Sequence, residues 1–281
     1  MPSNIDVARE LYVAFERGDP KLLLELLHPD FVGHVSEGMP GGLGGTHAGP
    51  AAMLTEVWGP VWRRFRVRPV PERFFSCDDG SVVVTGTYVG QPPSATPPLT
   101  AAFAHVLALR DGQVRELRQI TDTHHWAQAA TAAEAEVVRR LFAAVEERDG
   151  QAVLDAYATD IVIREAPSLP YGGEYHGHDG ALRHALAYTA TWDHLQPAGD
   201  RKLQPQIRGC DDQVLVTWRQ KATAGDGRHL DVPVVDLIGL RDGKVASLEM
   251  FQQDTAAVLE FLAHQAEHHG TTRPTLKINL A

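Results

Sequence analysis

The chain contains itself twice. VARELYVAFERGD (Val7 to Asp19) returns about 130 residues later as VVRRLFAAVEERD (Val137 to Asp149). LALRDGQV (Leu107 to Val114) returns as IGLRDGKV (Ile238 to Val245), and SCDDGSVVVT (Ser76 to Thr85) as GCDDQVLVT (Gly209 to Thr217). The spacing between copies barely drifts, and a repeat this long is a whole domain rather than a solenoid unit of roughly 20 to 50 residues. A length of 281 residues divides into two such domains, each long enough to bury its own core. The expected boundaries are residues 1–128 and 129–263, with 264–281 as a tail lacking a counterpart.

Each copy opens with a helix. Ser3 with Asp6, and Thr131 with Glu134, have the spacing of a capping box, followed by apolar stripes at Val7, Leu11, Ala14 and Phe15 and at Val137, Leu141, Ala144 and Val145. A short second helix follows Asp19–Pro20 in the first copy and spans roughly 151–158 in the second. Then come a strand (31–35; 161–165), a Gly- and Pro-rich loop and a third helix (51–65; 180–193). The last part of each copy reads as three or four strands, including 82–89, 99–109 and 114–121 and their partners 214–222, 232–240 and 245–252. This order specifies α+β: helices on one face of a curved antiparallel sheet. Ala101 to Leu109 and Val232 to Leu240 are apolar on both faces, whereas a sheet covered on one side alternates. Mutual cover by the two sheets, an internal pseudo-dimer, is the simplest arrangement, and a further homodimer is left open.

Bulk properties exclude several partners. The formal charge of −10 repels phosphate backbones, so no nucleic acid is expected. The start MPSNIDVARE lacks a signal peptide's basic and apolar regions, and no apolar run reaches the roughly 18 residues that span a bilayer. A cytoplasmic protein without a membrane partner is expected. Cys77 and Cys210 read as inherited small residues. EGMPGGLGGTHAGP (Glu37 to Pro50) lacks the Gly-Lys-Ser/Thr ending of a phosphate loop and reads as a lid or a long turn. His176 with His178, and His264 with His268, are two-ligand spacings without the rest of a metal site. No nucleophile elbow, dinucleotide fingerprint or cysteine cluster is present, so neither metal nor organic cofactor is expected.

The opening helix ending in E-R-G-D or E-E-R-D, the HPDFVGH strand, the G-T-H-x-G-P turn and the late V-x-x-L-R-D-G-x-V hairpin together resemble the SnoaL-like branch of the nuclear-transport-factor-2-like superfamily. The resemblance covers both copies and implies two tandem cone-shaped α+β barrels, each with three helices. It implies a reaction only broadly, since the fold hosts polyketide cyclases, ketosteroid isomerases, dehydratases, epoxide hydrolases and binding modules. In isomerase-like members a carboxylate ending the first strand is the base, and a neutral Asp on a later strand supports the oxyanion. Here Glu165 and Asp236 take those positions. Asp236 is flanked by Val234 and Ile238, an apolar setting that favours its neutral form. In the first copy they become Val35, with His34 beside it, and His105. This resembles the cyclase variant in which a His partners an acid fourteen residues on, but that position is Gln119; Asp122 is the substitute if the register differs.

Trp58, Trp62 and Trp192 on the third helices, with Tyr12, Gln119, Tyr157, Tyr171 and His176, are candidates to contact substrate. The leading expectation is a cofactor-independent acid/base enzyme of cyclase, isomerase or dehydratase type acting on a small apolar, polyketide-like carbonyl metabolite. One alternative is epoxide opening, by a hydrolase or cyclase, through a network of Arg164, Arg219 and Asp236. The other is a protein that binds a hydrophobic ligand without altering it.

Overall fold

The computed structural model describes residues 3–91, 98–197, 199, 201–210 and 213–266. The chain divides into two compact units, Met1–Ala133 and Glu134–Ala281.

The first unit opens with helix α1 (Asn4–Arg17), where both arms of the Ser3–Asp6 capping box form. The helix buries Val7, Ala8, Leu11, Tyr12 and Ala14 and stops at Gly18, whose φ of 61° is a left-handed conformation that glycine adopts cheaply. Asp19 caps α2 (Pro20–Leu26) through the Lys21 and Leu22 amides. Strand β1 (Leu27–Val35) begins four residues earlier than the apolar pattern suggests. The glycine-rich segment then forms a packed loop that buries Met39 and Leu43. Its end is β2 (Gly45–Ala48), which pairs with β1.

The third helix is α3 (Pro50–Ala52), a π-helical stretch Met53–Trp58 and α4 (Gly59–Phe65). Pro60 explains the wide turn, because a proline inside a regular helix lacks an N–H and meets the carbonyl four residues back. Strands β3 (Val67–Ser76), β4 (Val82–Gly90), β5 (Leu99–Arg110) and β6 (Gln113–Thr121) complete a six-stranded sheet of order β2-β1-β6-β5-β4-β3.

The second unit repeats this plan: α6 (Gly150–Ala156), β7 (Tyr157–Glu165), β8 (Gly173–His176), α7 (Gly177–Trp192), β9 (Gln206–Cys210), β10 (Gln213–Thr223), β11 (His229–Arg241) and β12 (Lys244–Gln252), in the order β8-β7-β12-β11-β10-β9. Helix α8 (Thr255–Ala266) follows. His264 lies on it, and His268 with the rest of the tail lies outside the described residues. No helix among the described residues is long and apolar enough to cross a membrane.

The α+β class and its duplication are as expected, with two refinements. The sheets are mixed rather than purely antiparallel, because β1 runs parallel to β6 and β7 parallel to β12. They are also open sheets rather than closed barrels, with β2 and β3, or β8 and β9, as edges. The Asp-Gly turns close the last hairpins. Asp111 and Gly112 (φ 51° and 79°) and Asp242 and Gly243 (φ 52° and 73°) are both left-handed, the tight-turn geometry that matches strand twist. Along β5, Leu99, Ala101, Phe103, His105 and Leu107 are buried, whereas the opposite face runs from exposed at Thr100 and Ala102 to half-buried at Ala104 and Val106. The buried face is therefore the one that can carry a protected site.

One expectation fails. Thr131 and Glu134 do not start a helix: α5 runs without a break from Thr123 to Glu147. The intervening AQAATAAEAE is rich in alanine, the best helix former, and carries the helix through the position where a cap would sit. Exposed Thr131 is thus an interior helical residue. Thr131→Ala should leave stability unchanged or raise it by a few tenths of a kcal/mol, whereas an N-cap would lose about 1 kcal/mol; denaturant unfolding distinguishes the two.

Candidate functional site

Strand register sets the candidate site. In the second unit Glu165 pairs with Met250, Met250 with Asp236 and Asp236 with Val216. Four adjacent strands thus place these residues in one row, all of them buried. Glu165 and Asp236 stand two strands apart, roughly 10 Å between backbones at the usual strand spacing. In the first unit the corresponding buried residues are Val35, Gln119, His105 and Val84, with Val84 paired to His105 and His105 to Gln119.

Glu165, at the C-terminal end of β7, is enclosed. Its Oε2 lies 2.8 Å from His184 Nε2 of α7, and its Oε1 accepts from Gln252 Nε2 of β12 at 2.7 Å. Asp236 accepts from the Trp218 indole N–H at 2.8 Å on Oδ2, while its Oδ1 is buried without a hydrogen-bond partner. Burial pushes the Asp236 carboxyl from its ordinary 3.8 up to about 8; the Trp218 bond opposes this and the nearby Glu165 charge adds to it. At neutral pH Asp236 is therefore largely a neutral acid and a potential donor through Oδ1.

Aromatic hydroxyls surround the pair. Tyr157 is raised by burial and by Asp236, Tyr171 by burial and by Glu165. Tyr188, raised by burial, also feels both carboxylates and donates to Gln220 Oε1. Tyr171 Oη and Trp192 Nε1 are neighbours whose atoms are buried short of hydrogen-bond geometry. Gln252 Oε1 also lacks a partner. The apolar core of this unit is correspondingly split into two clusters, one around Trp218 and Met250 and one around Tyr171 and Trp192. The core of the first unit is a single cluster.

The first-unit row is a continuous hydrogen-bonded network. The Ser36 amide donates to Gln119 Oε1 at 3.0 Å, which turns Gln119 Nε2 toward Tyr88 Oη at 3.3 Å. Tyr88 Oη lies 2.7 Å from His105 Nε2, and Tyr12 Oη lies 2.7 Å from His105 Nδ1. Each ring nitrogen of His105 is thus engaged by a tyrosine hydroxyl in either tautomer. Burial pushes His105 from 6.5 down to about 3, consistent with a neutral ring. Both nitrogens are occupied, so His105 offers no lone pair to a substrate.

The other predicted residues scatter. His34 projects from the face of β1 opposite Val35 and meets Thr46 at 3.1 Å and Glu116 at 3.6 Å. Asp122 follows β6 and pairs with His125 at 3.3 Å. Trp58 packs edge-on against Phe15, and Trp62 is exposed beneath the Arg66 guanidinium. His176 pairs at the surface with Glu174, 2.8 Å away. Arg164 and Arg219 bind Glu174 and Asp231 on the outer face of their strands, so the Arg–Asp236 network does not assemble. Two surface depressions, about 590 and 300 Å³, flank Arg219, and the smaller reaches Trp218; neither is lined by Glu165, His184 or Asp236. The carboxylates sit in a closed interior.

His184, Gln252, Trp218, Tyr188 and Gln220 were not anticipated. A signal existed for most of them. His184, Tyr188 and Trp192 recur every four residues on α7, and Val214, Val216, Trp218, Gln220 and Ala222 alternate along β10. A polar residue inside such a stripe marks a buried polar site.

Residues 8–117 and 138–248 each match the SnoaL-like domain family. Among solved structures, the chain is similar to an NTF2-like protein from Burkholderia thailandensis (22% identity, TM-score 0.43, covering 46% of this chain and 98% of that one). It is similar to another of unknown function from Burkholderia pseudomallei (29%, 0.43, covering 47% and 100%). A third is TerC co-crystallised with polyporic acid (31%, 0.41, covering 45% and 97%). No curated protein is significantly similar to the chain.

The raised Asp236 carboxyl carries a stability signature. The unfolded chain ionises Asp236 near 3.8 and the folded chain only near 8. Between those values the folded state binds more protons, so this group's contribution to stability is lost as pH rises. Asp236→Asn keeps an acceptor for Trp218 and removes the penalty. Its stability relative to wild type should increase steadily from about pH 4 to pH 8 in denaturant titrations; a pH-independent difference would contradict the assignment.

Proposed function

The chain belongs to the SnoaL-like domain family, carrying the domain twice, and from that premise we propose that its second unit performs acid/base chemistry on a small, largely apolar carbonyl compound. The observation that carries this reading is the unlike pair on one sheet face: Glu165 hydrogen-bonded to His184 and Gln252, and Asp236 raised by burial with Oδ1 unpartnered. Two carboxyls in such different environments are the arrangement expected of an acid and a base that work together.

In this reading Glu165 removes a proton from the carbon next to the carbonyl. The electron pair moves onto the carbonyl oxygen, which Asp236 Oδ1–H meets as charge develops. Return of the proton to a different atom, attack of the enolate on a second carbonyl, or loss of a β-hydroxyl as water would then give isomerisation, cyclisation or dehydration. Tyr171, Trp192 and Tyr157 supply contacts for a flat, polarised ligand. The first unit, its histidine locked between two tyrosines, acts as a structural copy.

Binding without chemistry is supported by the enclosure of the site, and the two readings separate experimentally. With an enolisable bicyclic ketone such as 2-tetralone in deuterated buffer, wild type should catalyse exchange of the α-hydrogens. Glu165→Gln should lower the rate by about 10²–10⁴-fold. Asp236→Ala should cost about 10²–10³-fold, with Asp236→Asn impaired less because an amide still donates. Ligand binding without exchange in wild type would select the binding reading, and full activity in both Glu165→Gln and Asp236→Ala would reject the pair.

A further inference from the structure

Glu165 and Asp236 lie in one buried row, two strands apart, and the charge on Glu165 adds to the burial that raises Asp236. Five titratable groups face Glu165 or its partner: His184 and Tyr188 from α7, Tyr171 from the loop before β8, Tyr157 from β7 and Asp236 from β11. The tyrosines stay neutral because burial raises each of them. Of the four described groups other than Asp236, His184 is the one within hydrogen-bond distance of a carboxyl.

His184 is built into place. Its side chain is 11% exposed and that of Glu165 1%. Tyr175 and Tyr171 meet its ring edge-on at 5.1 and 6.4 Å, fixing the plane that aims Nε2 at Glu165 Oε2. Gln252 completes the grip on Oε1, and its amide orientation follows from the acceptor-only character of a carboxylate. Glu165 thus has two hydrogen-bond partners, Gln252 as donor and His184 as donor when its Nε2 carries the hydrogen, whereas Asp236 accepts from the Trp218 indole. Hydrogen bonds to an ionised form favour that form.

We propose that His184 is the positioning residue that keeps Glu165 ionised and so leaves the proton of the pair on Asp236. The proposal rests on the Glu165–Asp236 reading above and adds the element that assigns base and acid within the pair. The acid/base polarity of the site would then be set from α7, by a residue that need not contact substrate.

Infrared spectroscopy tests this without turnover, because a protonated carboxyl has a carbonyl stretch distinct from that of a carboxylate. Separate carbon-13 labelling of Asp and of Glu identifies which residue type carries it, and Asp236→Asn and Glu165→Gln identify the residue. At pH 7 the wild-type band should respond to the Asp label and vanish in Asp236→Asn. His184→Phe, which keeps a ring but no donor, should transfer the band to the Glu label. His184→Gln, which keeps a donor, should restore the Asp assignment. Gln252→Leu removes the other donor and tests the same effect if the Phe variant does not fold, and it should give the Glu band a measurable share. A band that stays with Asp236 in His184→Phe, or in Gln252→Leu if that variant must stand in, overturns the His184 proposal alone. A wild-type protein with no Asp236 band overturns the neutral-acid reading beneath it.

Discussion

Glu165 and Asp236 occupy one inward face of a β-sheet, and burying two carboxyls together sets the terms for everything around them. An ionised carboxylate taken from water into an apolar interior is costly unless it is hydrogen-bonded, and two neighbouring charges raise that cost further. The second unit surrounds the two unequally. Glu165 is hydrogen-bonded to His184 and Gln252, whereas Asp236 accepts from one indole and is pushed by burial toward its neutral form. The apolar core there is split into two clusters, and buried atoms on Asp236, Gln252, Tyr171 and Trp192 stand without a hydrogen-bond partner.

The first unit meets the same geometry without the constraint. Val35 and His105 replace the two acids, and Gln119 stands where Met250 does in the second copy. Nothing in that row needs to be charged, so the polar atoms close on themselves: Ser36, Gln119, Tyr88, His105 and Tyr12 form one continuous chain of hydrogen bonds. Duplication here preserves a scaffold while three of the four inward positions diverge, valine being kept at the fourth as Val84 and Val216. One copy uses its hydrogen-bonding capacity internally; the other leaves several buried polar atoms without a partner.

Much of this was readable in the residues. The capping box at Ser3, the Asp-Gly turns and the alternating strands rest on local chemistry, and local chemistry is what a sequence displays. Asp236 stood out because Val234 and Ile238 flank it on the same strand face, and Glu165 because it ends the first strand of its copy. What escaped needed three dimensions. The parallel pairing of β1 with β6 joins segments about 80 residues apart, and nothing in either strand alone announces it. Thr131 carried a cap's spacing, but its alanine-rich surroundings overrode it. His184 was hidden because a histidine in a helix has many uses, and only the packing of α7 on β7 brings it to Glu165. His34 shows the converse error: neighbouring a strand-end position in sequence, it projects from the other side of the sheet.

The central claim is that Asp236 is a neutral acid at neutral pH beside a hydrogen-bonded Glu165. The most direct measurement is the pH titration of the Asp236 side-chain carboxyl by carbon-13 NMR in the wild-type chain, with the resonance assigned by its loss in Asp236→Asn. The account predicts a midpoint near 8. A midpoint close to the ordinary 3.8 would mean that both carboxylates are charged together, and the division of labour described above would not exist.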